Sequence, residues 1–230
     1  MRSRNTHFTA KRLRPFSLHY QFLGGMSGVD FIPKLLEISN DNTLTNYGSS
    51  GTFRVGETVK GFAETSAGSS SEIITFRVAQ SNHQEGAYNS PSAVYGPNPY
   101  SPSETIQAEY TNSSKIINVD CVALAAEAQG LYYGYVTVGT KLVGQESGAI
   151  AYVKDLRLVS DTFGELQGTF FLKDPNTTPA PSVVVRTGRK TFRITDSSTN
   201  LNTPGMRLSD AEAEYESVGT FRTLQQITTD

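Results

Sequence analysis

The sequence predicts an all-β protein: one or two small antiparallel β-barrel or β-sandwich modules with long loops. Three observations carry that expectation. Gly (20 residues), Pro (10) and a Ser/Thr share of roughly a fifth cut the chain into short stretches joined by turns. Within those stretches apolar and polar residues alternate with period two, which places successive side chains on opposite faces of a strand. Only CVALAAEAQG, residues 121–130, has strong helix propensity, and it is too short to be stable alone.

The first fourteen residues, MRSRNTHFTAKRLR, carry Arg2, Arg4, Lys11, Arg12 and Arg14, with no acid before Asp30. Residues 1–16 are therefore expected to form a basic N-terminal arm on a nearly neutral body, either a frayed, solvated terminus or a segment that docks on a partner. Without local acids to neutralise them, these five cations suit docking on an acidic partner surface.

Residues 17–87 read as a first β module. HYQFLGG and GVDFIPKLLEI are short strands bounded by Gly or Pro, and Pro33, which has no N–H to donate, marks a strand edge or start. SNDNT, with Asn40, Asp41 and Asn42, lacks the Gly and distal Glu of a calcium-binding loop and reads as a turn. In SGTFRVGETVKGFAE the alternation predicts a hairpin turning near Gly56-Glu57, and EIITFRVAQ is the next strand.

Residues 88–104 hold Pro91, Pro97, Pro99 and Pro102, too many for a central strand, and predict a long surface loop or linker. Its Tyr88, Tyr95 and Tyr100 are candidates for a binding surface, since Tyr gives a large contact area at low entropy cost. The competing reading packs them onto their own module.

Residues 105–230 read as a second β module. In AEAEYES, period two places Glu212, Glu214 and Glu216 on one strand face, opposite Ala211, Ala213 and Tyr215. VVVRTGRKTFRIT predicts two strands turning at Thr187-Gly188, with Phe192 and Ile194 inward and Arg193 outward. The basic set Arg186, Arg189, Lys190 and Arg193 then serves to keep an exposed hairpin soluble. GTFRVGETVKG and GTKLVGQESGAIA share a faint internal echo, compatible with two related modules flanking the Pro-rich window.

Several chemistries are not supported. No Gly-x-Ser-x-Gly elbow and no glycine-rich phosphate loop occurs, and Asp155, Asp161 and Glu165 read as turn acids rather than a catalytic carboxylate set. A single cysteine, Cys121, excludes an internal disulfide and a cysteine-based zinc site, while His7, His19 and His83 are scattered, so no metal or other cofactor is expected. A net charge of −2 argues against a nucleic-acid partner, and no apolar run reaches the roughly 18 residues of a membrane span.

The order of segments is more specific than any single residue. LHYQFLGG, FIPKLLEI, GTFRVGETVKG, LVGQESGAIAYV, LVSDTFGELQGTFFL, RTGRKTFRITDS and AEAEYESVGTF span about residues 17–227. Together they resemble virion structural and tail-fibre-like proteins of tailed phages infecting marine bacteria, cyanobacteria among them. The resemblance implies a non-enzymatic component of the tail, baseplate or tail fibre, assembled in the host cytoplasm. Its expected partners are other virion proteins and further copies of itself, a homo-oligomer such as a trimer. It carries over no catalytic residues. The alternative from another class is a carbohydrate-binding β module that attaches to a host surface glycan, with Tyr95, Tyr100, Tyr132 and Tyr133 stacking on sugar rings. The absence of Trp weighs against it.

Overall fold

The computed structural model describes residues 3–39, 50–64, 69–126, 131–177, 183–185, 188–201 and 209–217. Arg2, Arg186, Thr187 of the expected hairpin turn and residues 40–43 of the SNDNT turn lie outside them. In chain order the strands are β1 (Arg4–Ala10), β2 (Leu18–Leu23), β3 (Asp30–Pro33), β4 (Leu35–Ser39), β5 (Thr58–Glu64), β6 (Ser70–Arg77), β7 (His83–Ala87), β8 (Ser90–Val94), β9 (Pro97–Asn98), β10 (Ser101–Thr105) and β11 (Ile116–Asn118). After the four-residue helix α1 (Cys121–Leu124) come β12 (Tyr133–Gly134), β13 (Lys141–Gly144), β14 (Ile150–Asp155), β15 (Leu158–Val159), β16 (Leu166–Leu172), β17 (Gly188–Thr195) and β18 (Asp210–Ser217). The protein is nearly all β, as the alternation and the Gly/Pro punctuation predict, and the ladders between these strands are antiparallel.

Three sheets form a layered sandwich. The middle layer has the order β1-β16-β3, one outer sheet β15-β2-β17-β18, and the other β11-β4-β14-β13-β5-β6-β12. β16, LQGTFFL, is buried at every position except the half-buried Gln167, as expected of a strand covered on both faces. One face of the middle layer contributes Phe8, Ala10, Leu166, Phe170 and Leu172 to a core shared with Leu23, Leu158, Phe192 and Ile194. Ring centroids there lie 5.1 Å apart for Phe8 and Phe192 and 4.8 Å for Phe170 and Phe192, with Tyr215 edge-on to Phe170 at 5.4 Å. Ile32 of β3 points the other way, into the larger core with Leu36, Ile38, Val59, Phe76, Ile117, Leu142 and Val153. On that same side the buried Asn5 amide pairs with the Gly134 backbone, accepting from its N–H at 2.9 Å and donating to its carbonyl at 2.8 Å. Gly134 has φ +123, and a Cβ there would lie 2.1 Å from the Ile73 carbonyl oxygen, so this approach admits only glycine.

The structure corrects the expected two-module division. β4 and β5 precede the Pro-rich window and β11, β13 and β14 follow it, yet all five belong to one sheet, through the β11–β4, β14–β4 and β13–β5 ladders. Residues 88–104 are not a linker. β8 pairs with β7, and the chain from Tyr95 to Ile106 lies over the back of β4 and β11, where Tyr95, Ile106, Leu35 and Ile116 form a third small core. Four prolines keep this segment out of a central ladder, but short edge pairings and side-chain burial hold it as a cover.

The expected strand leg before Gly56 is absent: residues 51–54 form no strand, and β5 instead pairs with β6. The two echoing segments are neighbours in one sheet rather than separate modules. The fully buried Glu57 of the first accepts hydrogen bonds from the Ser147 N–H at 3.0 Å and hydroxyl at 2.9 Å in the second. Glu212, Glu214 and Glu216 share a face of β18 and meet Arg193 and Arg189 across the ladder. Phe192 and Ile194 point inward as expected, whereas Arg193 is 7% exposed instead of projecting into solvent, because Asp210 at 3.1 Å and Glu212 at 3.2 Å cover it.

Residues 4–10 are likewise not a solvated arm but a strand paired residue for residue with β16. The signal was present in NTHFTAKRL, where Phe8, Ala10 and Leu13 supply the apolar residues that this strand and the following loop bury. Phe8→Ala should destabilise the protein by about 3–5 kcal/mol in urea unfolding, and deleting residues 1–14 should abolish the cooperative transition. A truncated chain that unfolds like the full one would show that β1 is dispensable.

Candidate functional site

The candidate docking cations are mostly engaged within the chain. Arg4 donates from Nε to the Tyr215 hydroxyl at 3.1 Å, Lys11 pairs with Glu165 at 3.1 Å, and Arg14 pairs with Asp196 at 3.0 Å. The expectation that this segment lacks acids to neutralise it fails because the fold brings acids from distant sequence beside it. Arg12 is the exception: it is exposed, at φ +64, and among the described residues it has no ion-pair partner.

Arg12 sits in a braced loop. The Leu13 N–H donates to the Gly164 carbonyl at 2.9 Å, the Ser160 hydroxyl donates to the Arg14 carbonyl at 2.5 Å, and the Phe16 N–H donates to the Ser160 carbonyl at 3.2 Å. Asp161, read from sequence as a turn acid, accepts from the N–H groups of Phe163 at 2.9 Å and Glu165 at 2.8 Å and from Gln84 Nε2 at 2.8 Å. Gly164 has φ +71, and a Cβ there would lie 2.0 Å from the Leu13 carbonyl oxygen. Two interlocked loops thus present Arg12, Phe16 and Phe163, the last 74% exposed. Phe16 adopts φ +50, a conformation that is uncommon for a bulky residue and persists only where its surroundings over-determine it. Neither phenylalanine is marked by sequence pattern, because exposure depends on which loop meets which.

The tyrosines of the window are structural. Tyr95 is buried, Tyr100 donates its hydroxyl to the Leu35 carbonyl at 2.5 Å, and the half-buried Tyr88 ring lies under the Arg77 guanidinium at 4.0 Å. They attach the cover to the sheet instead of forming a binding surface. The competing reading of these residues is the one that describes their geometry.

Titratable groups converge in one cleft of about 320 Å³, lined by His7, Lys34, His83, Asp120 and Cys121 together with Thr9, Lys11, Gln84, Glu85, Gly86, Val122 and Gln167. Lys34 joins β3 to β4. Its N–H donates to the Gln167 carbonyl of the middle layer at 3.0 Å, and its carbonyl accepts from Val119 at 2.8 Å. This places its side chain at the seam between two sheets, 3% exposed, with Nζ donating to the Val119 carbonyl at 3.3 Å. Burial depresses the Lys34 pKa. Asp120 is held by Arg77 through contacts of 2.9 and 2.7 Å and caps α1 by accepting from the Ala123 N–H at 3.1 Å.

His83 bonds the Gly86 carbonyl through Nε2 at 3.1 Å, which places a proton on that nitrogen. Its Nδ1, like Nε2 of His7, is buried without a partner among the described residues. Burial raises the Cys121 thiol to about 11, so it is protonated at neutral pH and a poor nucleophile. No group of three or more His, Cys, Asp or Glu side chains suited to a metal ion occurs among the described residues. The one sequence cue to this cleft was Lys34 itself, a lone cation inside the apolar run FIPKLLEI.

The three histidines make stability depend on pH. Burial is the largest cause holding His7, His19 and His83 below the ordinary value of 6.5, and the nearby Lys34 charge adds to it at His7 and His83. Protons then bind the unfolded chain more readily than the folded one. The stabilisation is complete above about pH 6.5 and lost as pH falls through the lowered folded values. The urea midpoint should fall between pH 7.5 and 5.5, and His19→Gln should flatten that slope; a level profile in the unmodified protein would contradict neutral, buried imidazoles.

Comparison with models of known families, with curated proteins and with solved structures finds no match to this chain.

Proposed function

We propose that the protein is a non-enzymatic structural component of a phage particle, in the tail, baseplate or tail fibre, that acts by docking on other virion proteins and on copies of itself. The resemblance of the segment order to virion structural and tail-fibre-like proteins motivates this reading. The observation that carries it in this molecule is the braced pair of loops around residues 11–17 and 160–165. A cation and two aromatic rings exposed on hydrogen-bonded loops match the composition of interface anchors, which are enriched in aromatic residues and Arg. Bracing lowers the ordering cost of binding.

Among the four described basic residues the docking role thereby narrows to Arg12, joined by Phe16 and Phe163, while Arg2 lies outside the described residues. Homo-oligomerisation, with trimers among the symmetric forms, would cover open sheet edges such as the outer side of β18, which is unpaired among the described residues. The site of action is the virion tail, reached by assembly in the host cytoplasm. The glycan-binding alternative has less support: of Tyr95, Tyr100, Tyr132 and Tyr133, only Tyr133 is an exposed ring, at 56%.

Mass spectrometry of purified particles should find the protein. The double variant Arg12→Glu/Phe163→Ser should keep its thermal transition while incorporation falls about tenfold or more, the size expected when an interface anchor is lost. Absence from particles would end the virion reading, and hydrolysis of host glycans by the purified protein would end the non-enzymatic one.

A further inference from the structure

The seam cleft has no part in that docking role, yet it holds an arrangement that packing alone does not explain. Among the described residues Lys34 is a buried cation with no carboxylate within ion-pair distance, and the one hydrogen bond of its Nζ goes to a backbone carbonyl. A buried charge without a counter-charge is costly, because the desolvation of the ion is not repaid by an opposite charge. Asp120, the nearby acid, is already neutralised by two contacts from Arg77 and occupied by the α1 N–H. Around the same cleft, His83 is 5% exposed, and among the described residues neither its Nδ1 nor Nε2 of His7 has a hydrogen-bond partner. Buried polar atoms are nearly always hydrogen-bonded, and these two ring nitrogens line the same cleft as the ammonium, so one ligand group there could serve all three.

We propose that this cleft binds a small oxyanion, a phosphate or carboxylate group, seated on Lys34 and the imidazoles of His83 and His7. An anion supplies what the three groups lack. It gives the ammonium a counter-charge, and it accepts a hydrogen bond from each imidazole once protonated. His83 already places a proton on Nε2 by bonding Gly86, so a second proton on Nδ1 would make it a two-sided donor between the Gly86 carbonyl and the anion. A metal cation is disfavoured by the Lys34 charge. Of the other ionisable groups on the lining, Lys11 is held by Glu165, Cys121 is neutral, and Glu85 is exposed. A volume of about 320 Å³ leaves room beyond the anionic group, so the ligand can be a small molecule carrying that group.

Isothermal titration with inorganic phosphate and, separately, with acetate at matched ionic strength tests the proposal. Saturable binding of either anion that weakens about tenfold or more in Lys34→Met, equivalent to about 1.4 kcal/mol, supports it. Tighter phosphate binding identifies a phosphate-bearing ligand, and acetate binding alone a carboxylate. Lys34→Met replaces an unpaired buried charge by an apolar chain of similar length, so its thermal transition without anion should be equal or higher. Should that variant not fold, the ¹⁵N resonances of His7 and His83 in the unmodified protein decide, since they must shift on adding the anion. Absence of saturable binding by both anions, binding indifferent to Lys34→Met, or unmoved imidazole resonances would overturn the proposal.

Discussion

Burial of the three-stranded middle layer on both faces is the constraint on which the rest of the structure depends. β16 sends Phe170 into the aromatic core and Phe171 the other way, stacked on Tyr135 at 5.6 Å. It can occupy that position only if its backbone groups are satisfied on both sides, which β1 and β3 do. Without β1, a strand buried at nearly every position would present an open edge, the arrangement most prone to wrong pairing. The aromatic contacts of Phe8, Phe170, Phe192 and Tyr215 contribute about 0.5–1.5 kcal/mol each beyond area burial. They assemble only when the first strand, a middle strand and the last two come together. Asn5 shows the same dependence on the opposite face, where one side-chain amide takes the place of a backbone ladder between β1 and β12.

What the sequence made legible was local. Period two in AEAEYES placed three acids on one strand face because side-chain alternation is a property of the extended backbone itself. Pro33 marked an edge because a missing N–H has the same consequence in any sheet, and β3 is the edge strand of its layer. Partner choice was not legible. Nothing in Lys141–Gly144 says that it pairs with Thr58–Glu64 rather than only with its hairpin neighbour, since ladder bonds are made by backbone groups that every residue carries. The interleaving of the two halves, and with it the failure of the linker reading, follows from that. Tyr100 illustrates the same limit at a candidate site: a tyrosine in a proline-rich loop looks alike whether its hydroxyl meets a ligand or the Leu35 carbonyl.

The cleft is also a consequence of pairing. The chain leaves the middle layer at Pro33 and joins the seven-stranded sheet at Leu35, so the two sheets diverge from Lys34. Diverging sheets open a wedge that the apolar cores do not fill, and polar groups from β1 and β7 line it with Asp120, the Cys121 thiol and Val122. The site therefore has elements far apart in sequence as its walls, and no motif within any one of them announces it.

The N-terminal segment connects these features. Along β1, Phe8 and Ala10 face the aromatic core while His7 and Thr9 line the cleft, a division of labour that period two alone enforces. The chain then continues into the loop that carries Arg12, Leu13 and Phe16, with Leu13 turned back into the core and Arg12 turned out. A one-residue slip of β1 against β16 would move His7 into the apolar core and Phe8 into the cleft, and would also displace the Leu13 bond to Gly164 that braces the loop. Register at β1 therefore sets core packing, the chemistry of the cleft and the presentation of the docking loop together, so none of the three can vary independently of the others.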